Sequence, residues 1–378
     1  ISATIIPLIS LFAHARLQGT MLAFGNKVSP LFSLFFVLCV FPIVIALPCP
    51  RTAAVTHEMV IQPFFGTSAI LTSSIFFALA FIFVINRNNA LNILGKYLTP
   101  IIVAILILII VLGIISPVPE MNPSIYSTPI VEGLLEGYQT YDAIAGMLMG
   151  GMVIISINNS KVNMSFEDKK KMIAKSGFIA MCGLFIVYAG LIALGALYNS
   201  EFDSGISRTN LLLGLASKTL GNYGAISLGV LVSLACFTTA VAIIVSTADF
   251  FKELFKGSEK AYLLTTIICC VVGIIVGSYN VGFIIDIALP ALMFIYPISI
   301  VLIILNVVPE RFGTTLVFKS VVLVTFIFSI PDFLKFIIPI ENIQGIINII
   351  PLAKHSLGWV LPAIVTFVLV NLLEHKKA

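Results

Sequence analysis

Residues 98–115 read LTPIIVAILILIIVLGII, eighteen residues without a charge. A run of this length is typical of an α-helix that crosses a bilayer, which needs roughly 20 apolar residues. The rest of the 378-residue chain has the same character, since 59% of it is hydrophobic, 10% is charged and its mean hydropathy is +1.13. Water-soluble folds carry about 25% charged residues. We therefore predict an integral membrane protein and exclude a soluble binding module.

The apolar runs are long and continuous, whereas a transmembrane barrel shows short stretches of alternating polarity. We predict an all-α polytopic membrane protein in which residues 1–378 form a single transmembrane domain. The predicted helices are 1–13, 29–47, 69–85, 91–115, 132–157, 174–198, 224–250, 261–278, 281–307, 314–330 and 356–373. The second helix is expected to continue to about Gln62, and the segment 333–352 to be interfacial or re-entrant.

Lysines and arginines divide unevenly between the two sets of connecting segments. If residues 1–13 run from outside to inside, one set holds sixteen of the 21 basic residues: Arg16, Lys27, Arg87, Lys96, Lys161, Lys169, Lys170, Lys171, Lys175, Lys252, Lys256, Lys260, Arg311, Lys319, Lys376 and Lys377. The other set holds Arg51, Arg208, Lys218, Lys335 and Lys354. Cytoplasmic segments carry the basic excess, so the first set and the C-terminus are predicted to face the cytoplasm. The net charge of +4 is too small and scattered to indicate a nucleic-acid partner.

A weak internal repeat relates the two halves of the chain at an offset of 190 residues. The triplets 98–100 and 288–290 each end in proline and precede an aliphatic run. The preceding helices pair in the same order, 69–85 with 261–278 and 29–62 with 224–250. Shifted back by the same 190 residues, the helix at 174–198 falls on positions −16 to 8, so we interpret 1–13 as the tail of a span. The helix at 132–157 has no counterpart in the first half.

The repeat predicts an architecture of five spans plus five. Because five is odd, the second copy must be inverted relative to the first. Residues 1–115 are then the remainder of the first repeat, 132–307 are the second, and 314–378 are two additional C-terminal segments. Inverted repeats are typical of secondary transporters, which hold their substrate near the bilayer midplane with broken helices.

The helix predicted at 132–157 concentrates polar residues in its outer half: Glu132, Glu136, Gln139, Thr140 and Asp142. An ionisable residue within a span is a functional candidate, so Asp142 is a candidate for gating or an ion pair. Gly137 opens a polar run that predicts an unwound segment, whose free backbone groups would hold the charged ends of an amino acid. The alternative interpretation puts the glutamates at the extracellular mouth, with only Asp142 buried.

Two adjacent threonines, Thr238 and Thr239, lie inside the helix predicted at 224–250. Threonines within spans commonly bond a carbonyl of their own preceding turn, which alone would explain them. The Ala235 carbonyl precedes these threonines by three and four residues, so one turn offers a carbonyl and two hydroxyl oxygens together. Uncharged oxygens suit a dehydrated monovalent cation such as sodium, so the turn is a candidate sodium site.

Three further ionisable residues are candidates for gating or ion pairing. Arg51 and Glu58 are seven residues apart and so share a helix face. They either form an ion pair that fastens the helix to its neighbours, or face the substrate or a gate. Asp286, in the outer part of the helix at 281–307, either closes an extracellular gate with a basic partner or caps the helix start near Asn280.

Three motifs are the most specific parts of the sequence: Pro50-Arg51-Thr52-Ala53, Glu136-Gly137-Tyr138-Gln139-Thr140-Tyr141-Asp142-Ala143 and Leu234-Ala235-Cys236-Phe237-Thr238-Thr239-Ala240-Val241. On these motifs, and over essentially the whole chain, the sequence resembles the bacterial branched-chain amino-acid:cation symporters, the leucine/isoleucine/valine carrier family. The resemblance implies the five-plus-five inverted-repeat fold of the leucine transporter. It also implies sodium-coupled uptake of leucine, isoleucine and valine across the bacterial cytoplasmic membrane, with membrane lipid around the protein and no cofactor besides the coupling ion.

The resemblance also assigns roles to residues. It implies a sodium site between the first and eighth helices, to which the eighth, 224–250, contributes Ala235, Thr238 and Thr239. It implies a substrate site at the unwound sixth helix, 132–157, with the residues Gly137, Tyr138, Gln139, Thr140 and Tyr141. We expect the family's first helix, with its Gly/Asn-rich break, to be missing from residues 1–378, and about half of the ion and substrate ligands with it.

Two alternatives accompany this interpretation. An intramembrane aspartyl protease would use Tyr141-Asp142 and Pro290-Ala291-Leu292, but the required Gly-x-Gly-Asp is absent from the sequence, and Phe283-Ile284-Ile285 precedes Asp286. The closer alternative is a symporter of the same fold that carries another apolar amino acid or is driven by protons.

Overall fold

The computed structural model describes residues 3–86, 90–117, 119–124, 126–159, 165–203 and 205–375. Within these ranges all regular secondary structure is helical, which confirms the predicted all-α class. Eight helices of the described chain are long and apolar enough to cross a membrane. Of the basic residues that decided the predicted orientation, Arg87, Lys161, Lys376 and Lys377 lie outside the described ranges.

The α-helices are α1 (Ile5–Leu17), α2 (Leu22–Gly25), α3 (Pro30–Ala46), α4 (Pro48–Thr56), α5 (Gln62–Phe65), α6 (Ala69–Asn86), α7 (Ala90–Ile115), α8 (Pro129–Glu136), α9 (Asp142–Asn159), α10 (Phe166–Leu197), α11 (Arg208–Leu254), α12 (Glu259–Gly277), α13 (Val281–Val307), α14 (Thr315–Leu334), α15 (Ile340–Ile349) and α16 (Val360–His375). A π-helical turn, His57–Ile61, joins α4 to α5. Short 3₁₀ turns occupy Gly137–Thr140, Glu310–Phe312 and Ala353–His355.

The predicted segments correspond to these helices, and three of them are not among the eight long spans. Helices α1 and α16 have 13 and 16 residues, shorter than the roughly 20 that a bilayer requires. The segment predicted at 132–157 is divided into α8 and α9. In the interfacial or re-entrant segment, α15 has only 10 residues and is likewise too short to cross.

The chain forms two compact units. Unit 1 comprises Ile1–Val40, Tyr126–Cys182 and Ile287–Ala378, and unit 2 comprises Phe41–Ile125 and Gly183–Asp286. Each unit takes segments from both halves of the predicted repeat. The predicted repeat boundaries are therefore not the boundaries of the compact units.

In unit 2, α4 and α6 pack against α11 and α12. Small residues bring the helices close together, as is common where helices pack inside a membrane. A Cβ atom at Gly229 would lie 3.1 Å from the Met59 carbonyl oxygen, and one at Gly277 would lie 3.1 Å from that of Pro50. A larger residue at either glycine would clash with backbone atoms, which cannot move aside as a flexible side chain can.

The long helix α11 is interrupted in unit 2. Gly221 has φ +70° and ψ −176°, a conformation that residues with a side chain rarely adopt. It separates an arm, 208–220, from the longer part of the helix, 222–254. The sequence analysis began this helix at 224 and did not identify the arm.

In unit 1, α1 packs along α9 and α14 packs against α16. The end of α1 is fastened to the end of α13, because Arg16 Nη1, in the last turn of α1, donates to the carbonyl oxygen of Val308 at 2.5 Å and lies 3.3 Å from that of Val307. The last carbonyls of a helix lack partners within it, and a cation there also complements the helix dipole.

Candidate functional site

The predicted break is present at the predicted residues. Helix α8 ends at Glu136, a 3₁₀ turn follows over Gly137–Thr140, and α9 begins at Asp142. Between them Tyr141 has φ +60° and ψ 11°, in the left-handed region that is uncommon for a residue with a large side chain. Backbone held in this region is frequent at functional sites. The polar run therefore interrupts the helix.

Tyr296 on α13 holds the second half of the broken helix. Its hydroxyl oxygen accepts a hydrogen bond from the Ala143 N–H in the first turn of α9, at 3.2 Å. Its ring packs on Tyr138, with centroids 4.6 Å apart, and both side chains are buried. The Tyr138 ring is thus used in packing within unit 1.

Two other polar side chains of the break make hydrogen bonds within it. Thr140 Oγ1 donates to the Gly137 carbonyl oxygen at 2.8 Å, and Gln139 Nε2 donates to Glu136 Oε1 at 3.1 Å. Gln139 and Tyr141 are buried, whereas Gly137 and Thr140 are half-buried. Accessible surface within the break is thus concentrated at Gly137 and Thr140.

The two interpretations of this segment describe different parts of it. Glu132 and Glu136 are exposed, as expected if the glutamates lie at a mouth. Asp142 is half-buried at the start of α9. The 3₁₀ turn and the left-handed residue between Glu136 and Asp142 are what the unwound interpretation requires.

The threonine turn of α11 brings the three predicted oxygens together. Thr238 Oγ1 donates to the Ala235 carbonyl oxygen at 2.9 Å, and Thr239 Oγ1 donates to the same oxygen at 2.8 Å. A hydroxyl that donates its proton keeps its oxygen lone pairs, so both remain able to face a cation. These two hydrogen bonds are the same intrahelical bonds that threonines make in other helices, so they do not by themselves indicate a cation site.

Exposure separates this turn from an ordinary buried threonine. Thr247, two turns further along α11, makes the same bond to the Ile243 carbonyl at 2.8 Å and is fully buried. Thr239 is exposed and Thr238 is half-buried. The oxygens at 238 and 239 are therefore accessible, and the one at 247 is not.

Glu58, in the π-helical turn, fastens two helix starts. Its Oε1 accepts from the Val281 N–H at the start of α13, at 2.8 Å, and its Oε2 accepts from Thr209 Oγ1 at the start of α11. A carboxylate is favourable at helix N-termini, where N–H groups lack partners. Glu58 thus fastens its own helix to the starts of two others through hydrogen bonds. Arg51 is half-buried on α4, and its ion pair with Glu58 or its role at a gate stays a prediction.

Asp286 does not cap its helix, so that interpretation was wrong. The start of α13 is capped by Asn280, whose Oδ1 accepts from the Phe283 N–H at 2.8 Å, and by Glu58. Asp286 is exposed, beyond the first four N–H groups that need a cap. Its role at a gate stays a prediction.

A polar cluster at the end of α14 was not predicted from the sequence. Asp332 is 1% exposed, and its Oδ1 accepts from Lys335 Nζ at 2.8 Å. The same ammonium donates to the Ala353 carbonyl oxygen at 2.6 Å and to Ser356 Oγ at 3.1 Å. It thereby ties the segment that follows α15 to the end of α14. An acid in an apolar helix was the available signal, but the predicted helix stopped at 330, short of Asp332.

The candidate residues belong to different units. Gly137 to Asp142 and Tyr296 are in unit 1, whereas Arg51, Glu58, Ala235, Thr238, Thr239 and Asp286 are in unit 2. The helix break therefore lies in unit 1 and the threonine turn lies in unit 2.

Comparison with known proteins gives a consistent result over the whole chain. A family profile described as "Branched-chain amino acid transport protein" matches residues 1–377. The branched-chain amino acid transport system 2 carrier protein of Pseudomonas aeruginosa is 29% identical over 376 residues, which cover 96% of this chain and 84% of that protein. The branched-chain amino acid permease BrnQ of Bacillus subtilis is 31% identical over 355 residues, covering 90% and 79%. The permease BraB of the same organism is 28% identical over 372 residues, covering 95% and 83%.

Proposed function

Because the chain belongs to the branched-chain amino acid transport protein family, we propose that it takes up leucine, isoleucine and valine by sodium-coupled symport. The chain is a transporter and not an enzyme, so the protease alternative is set aside. The relatives named as carriers and permeases of branched-chain amino acids support the substrate class. The observation that carries the proposal is the break between α8 and α9.

The break suits a zwitterion. The break places the C-terminal end of α8 and the N-terminal end of α9 on either side of Gly137 to Tyr141. The negative end of one helix dipole favours an ammonium group, and the positive end of the other favours a carboxylate. We assign the charged ends of the amino acid to the backbone of Gly137 to Tyr141.

The apolar side chain of the substrate allows little selection among the three amino acids. One methylene in an apolar pocket is worth about 1–3 kcal/mol. A single site is therefore expected to accept leucine, isoleucine and valine.

The sodium part of the proposal rests on the threonine turn. Ala235, Thr238 and Thr239 offer three uncharged oxygens within one turn of α11, and Thr239 is exposed. The alternatives are a proton as the coupling ion and another apolar amino acid as the substrate.

Uptake under imposed gradients tests the function directly. With the protein reconstituted in lipid vesicles, radiolabelled leucine should accumulate when a sodium gradient is imposed, and not with a proton gradient alone or no gradient. A membrane potential adds about 2.3 kcal/mol per charge per 100 mV to the driving force. Leucine accumulation driven by protons without sodium would contradict sodium coupling. The substrate class is checked by competition, since isoleucine and valine should inhibit leucine uptake and alanine should not.

We further propose the five-plus-five inverted-repeat architecture, in a bacterial cytoplasmic membrane. Packing within unit 2 supports it, because repeat partners contact each other: α4 packs on α11, and α6 on α12. Where two inverted repeats are related by a two-fold axis, equivalent helices that lie near the axis contact each other.

The proposed orientation predicts which side each connecting segment faces. In a variant lacking the six native cysteines, a cysteine at Lys170 should react with a membrane-impermeant thiol reagent only from the cytoplasm, and one at Ser127 only from outside. Both positions are exposed, so a failure to react would reflect sidedness rather than burial. The physical reason is the basic excess on one side. Labelling with the opposite sidedness would overturn the orientation of every span.

A further inference from the structure

His14 lies fully buried on α1, between two backbone carbonyls of unit 1. Its Nε2 is 2.9 Å from the Met147 carbonyl oxygen, in the second half of the broken helix. Its Nδ1 is 3.1 Å from the Gly19 carbonyl oxygen, in the loop that follows α1. The ring of Phe24 meets the imidazole edge-on, with centroids 4.8 Å apart.

Carbonyl oxygens accept hydrogen bonds and cannot donate them. A neutral imidazole has one N–H, so in this position its other nitrogen directs a lone pair at a carbonyl oxygen. An imidazolium has two N–H groups and satisfies both carbonyls. Burial opposes the added charge, while two charge-assisted hydrogen bonds favour it.

Gly150 makes room for this ring. A Cβ atom at that position would lie 2.2 Å from His14 Cδ2 and 2.7 Å from Nε2. At the neighbouring Gly151, a Cβ atom would be 3.9 Å from Cε1 and no closer than 3.5 Å to any other atom. The close approach of His14 to α9 therefore depends on Gly150 and not on Gly151.

The carbonyls, and not a charged side chain, are the hydrogen-bond partners of the ring. The titratable residues on the elements packed around it are Arg16 on α1, Lys27 in the segment after α2, Asp142 on α9, Asp286 and Tyr296 on α13, and Glu167, Asp168, Lys169, Lys170, Lys171, Lys175, Cys182 and Tyr188 on α10. Arg16 is engaged by the carbonyls at the end of α13 and by Glu310, at 3.4 Å.

We propose that His14 is a proton-binding site, and that the bound proton fastens the second half of the broken helix to α1 and to the loop at Gly19. With the proton, Met147 and Gly19 each receive a hydrogen bond; without it, one of these contacts becomes repulsive. The ligand is a proton taken up within unit 1, separate from the threonine turn proposed for sodium. The consequence for transport rests on the proposed function, in which α9 forms half of the substrate site.

Nitrogen NMR of the histidine-labelled protein in lipid nanodiscs tests the site without requiring transport. The sequence has four histidines, and the His14 signal is identified by its loss in His14→Gln. We expect both nitrogens of His14 to carry protons at pH 5, where the hydrogen bonds to the two carbonyls outweigh the cost of burying the charge. A His14 ring with one protonated nitrogen at pH 5 would overturn the proposal, whether or not the protein carries leucine.

Two glycine variants test whether the pair of carbonyls holds the proton. Gly150→Ala should displace the ring and lower the ratio of charged to neutral His14 at pH 5 by about tenfold, as expected when a charge-assisted hydrogen bond is lost. Gly151→Ala is the matched control and should keep the imidazolium signal. An unchanged ratio in folded Gly150→Ala, or an equal loss in both variants, would show that the two carbonyls do not hold the proton.

Discussion

Replacing Gly137 with leucine is expected to abolish leucine uptake while leaving the protein folded. Gly137 begins the break, is half-buried and has φ −65° and ψ −18°. This is an ordinary right-handed conformation that leucine adopts without strain. The effect of the substitution is therefore one of space, since a branched side chain would occupy the volume that the backbone and the ligand share. We expect leucine affinity to fall by at least about a hundredfold, roughly 2.7 kcal/mol.

Gly133 provides the matched control for this prediction. It lies four residues earlier, on α8, is exposed, and has no atom within 4 Å of where its Cβ would be. Gly133→Leu adds the same side chain one turn from the break and should leave leucine uptake unchanged. Equilibrium binding of labelled leucine to the purified variants, with melting curves to confirm folding, measures the difference. Unchanged affinity in folded Gly137→Leu would move the substrate site away from the break.

Features that depend on local sequence were predictable. Helix α13 begins and ends at the predicted residues, 281 and 307, because a long apolar run bounded by polar residues has few alternatives in a bilayer. The break at Gly137 was predictable because a polar run that follows a glycine cannot be stable as a lipid-facing helix. The hydrogen bonds of Thr238 and Thr239 to Ala235 follow from helical geometry alone.

Features that depend on distant residues were not predictable. Tyr296 bonds the Ala143 N–H across 153 residues of sequence, and a tyrosine inside an apolar run carries no sign of its partner. Glu58 was recognised as important, but its bond to the Val281 N–H spans 223 residues. The sequence placed Arg51 and Glu58 on one helix face, whereas the π-helical turn that begins at His57 changes the regular spacing there. These contacts result from packing, which periodicity does not encode.

Alanine at Thr238 or Thr239 is expected to weaken sodium dependence strongly, because each substitution removes one of three oxygens in the turn. Each should raise the sodium concentration for half-maximal leucine uptake by at least about tenfold, equivalent to about 1.4 kcal/mol. Leucine affinity at saturating sodium should change much less, since the substrate is assigned to the break. Sodium activation curves of vesicle uptake, measured at fixed leucine, give both quantities.

Two controls separate a lost ion ligand from a lost helical hydrogen bond. Thr247→Ala removes the same kind of intrahelical bond from the same helix but no accessible oxygen, so its sodium activation should match that of the unmodified protein. Serine at 238 or 239 keeps the hydroxyl and should restore most of the sodium dependence that alanine loses. Normal activation in both alanine variants would exclude the turn as the sodium site. A shift in Thr247→Ala as large as in Thr239→Ala would attribute the effect to helix stability, because the two residues make equivalent backbone bonds and differ in exposure.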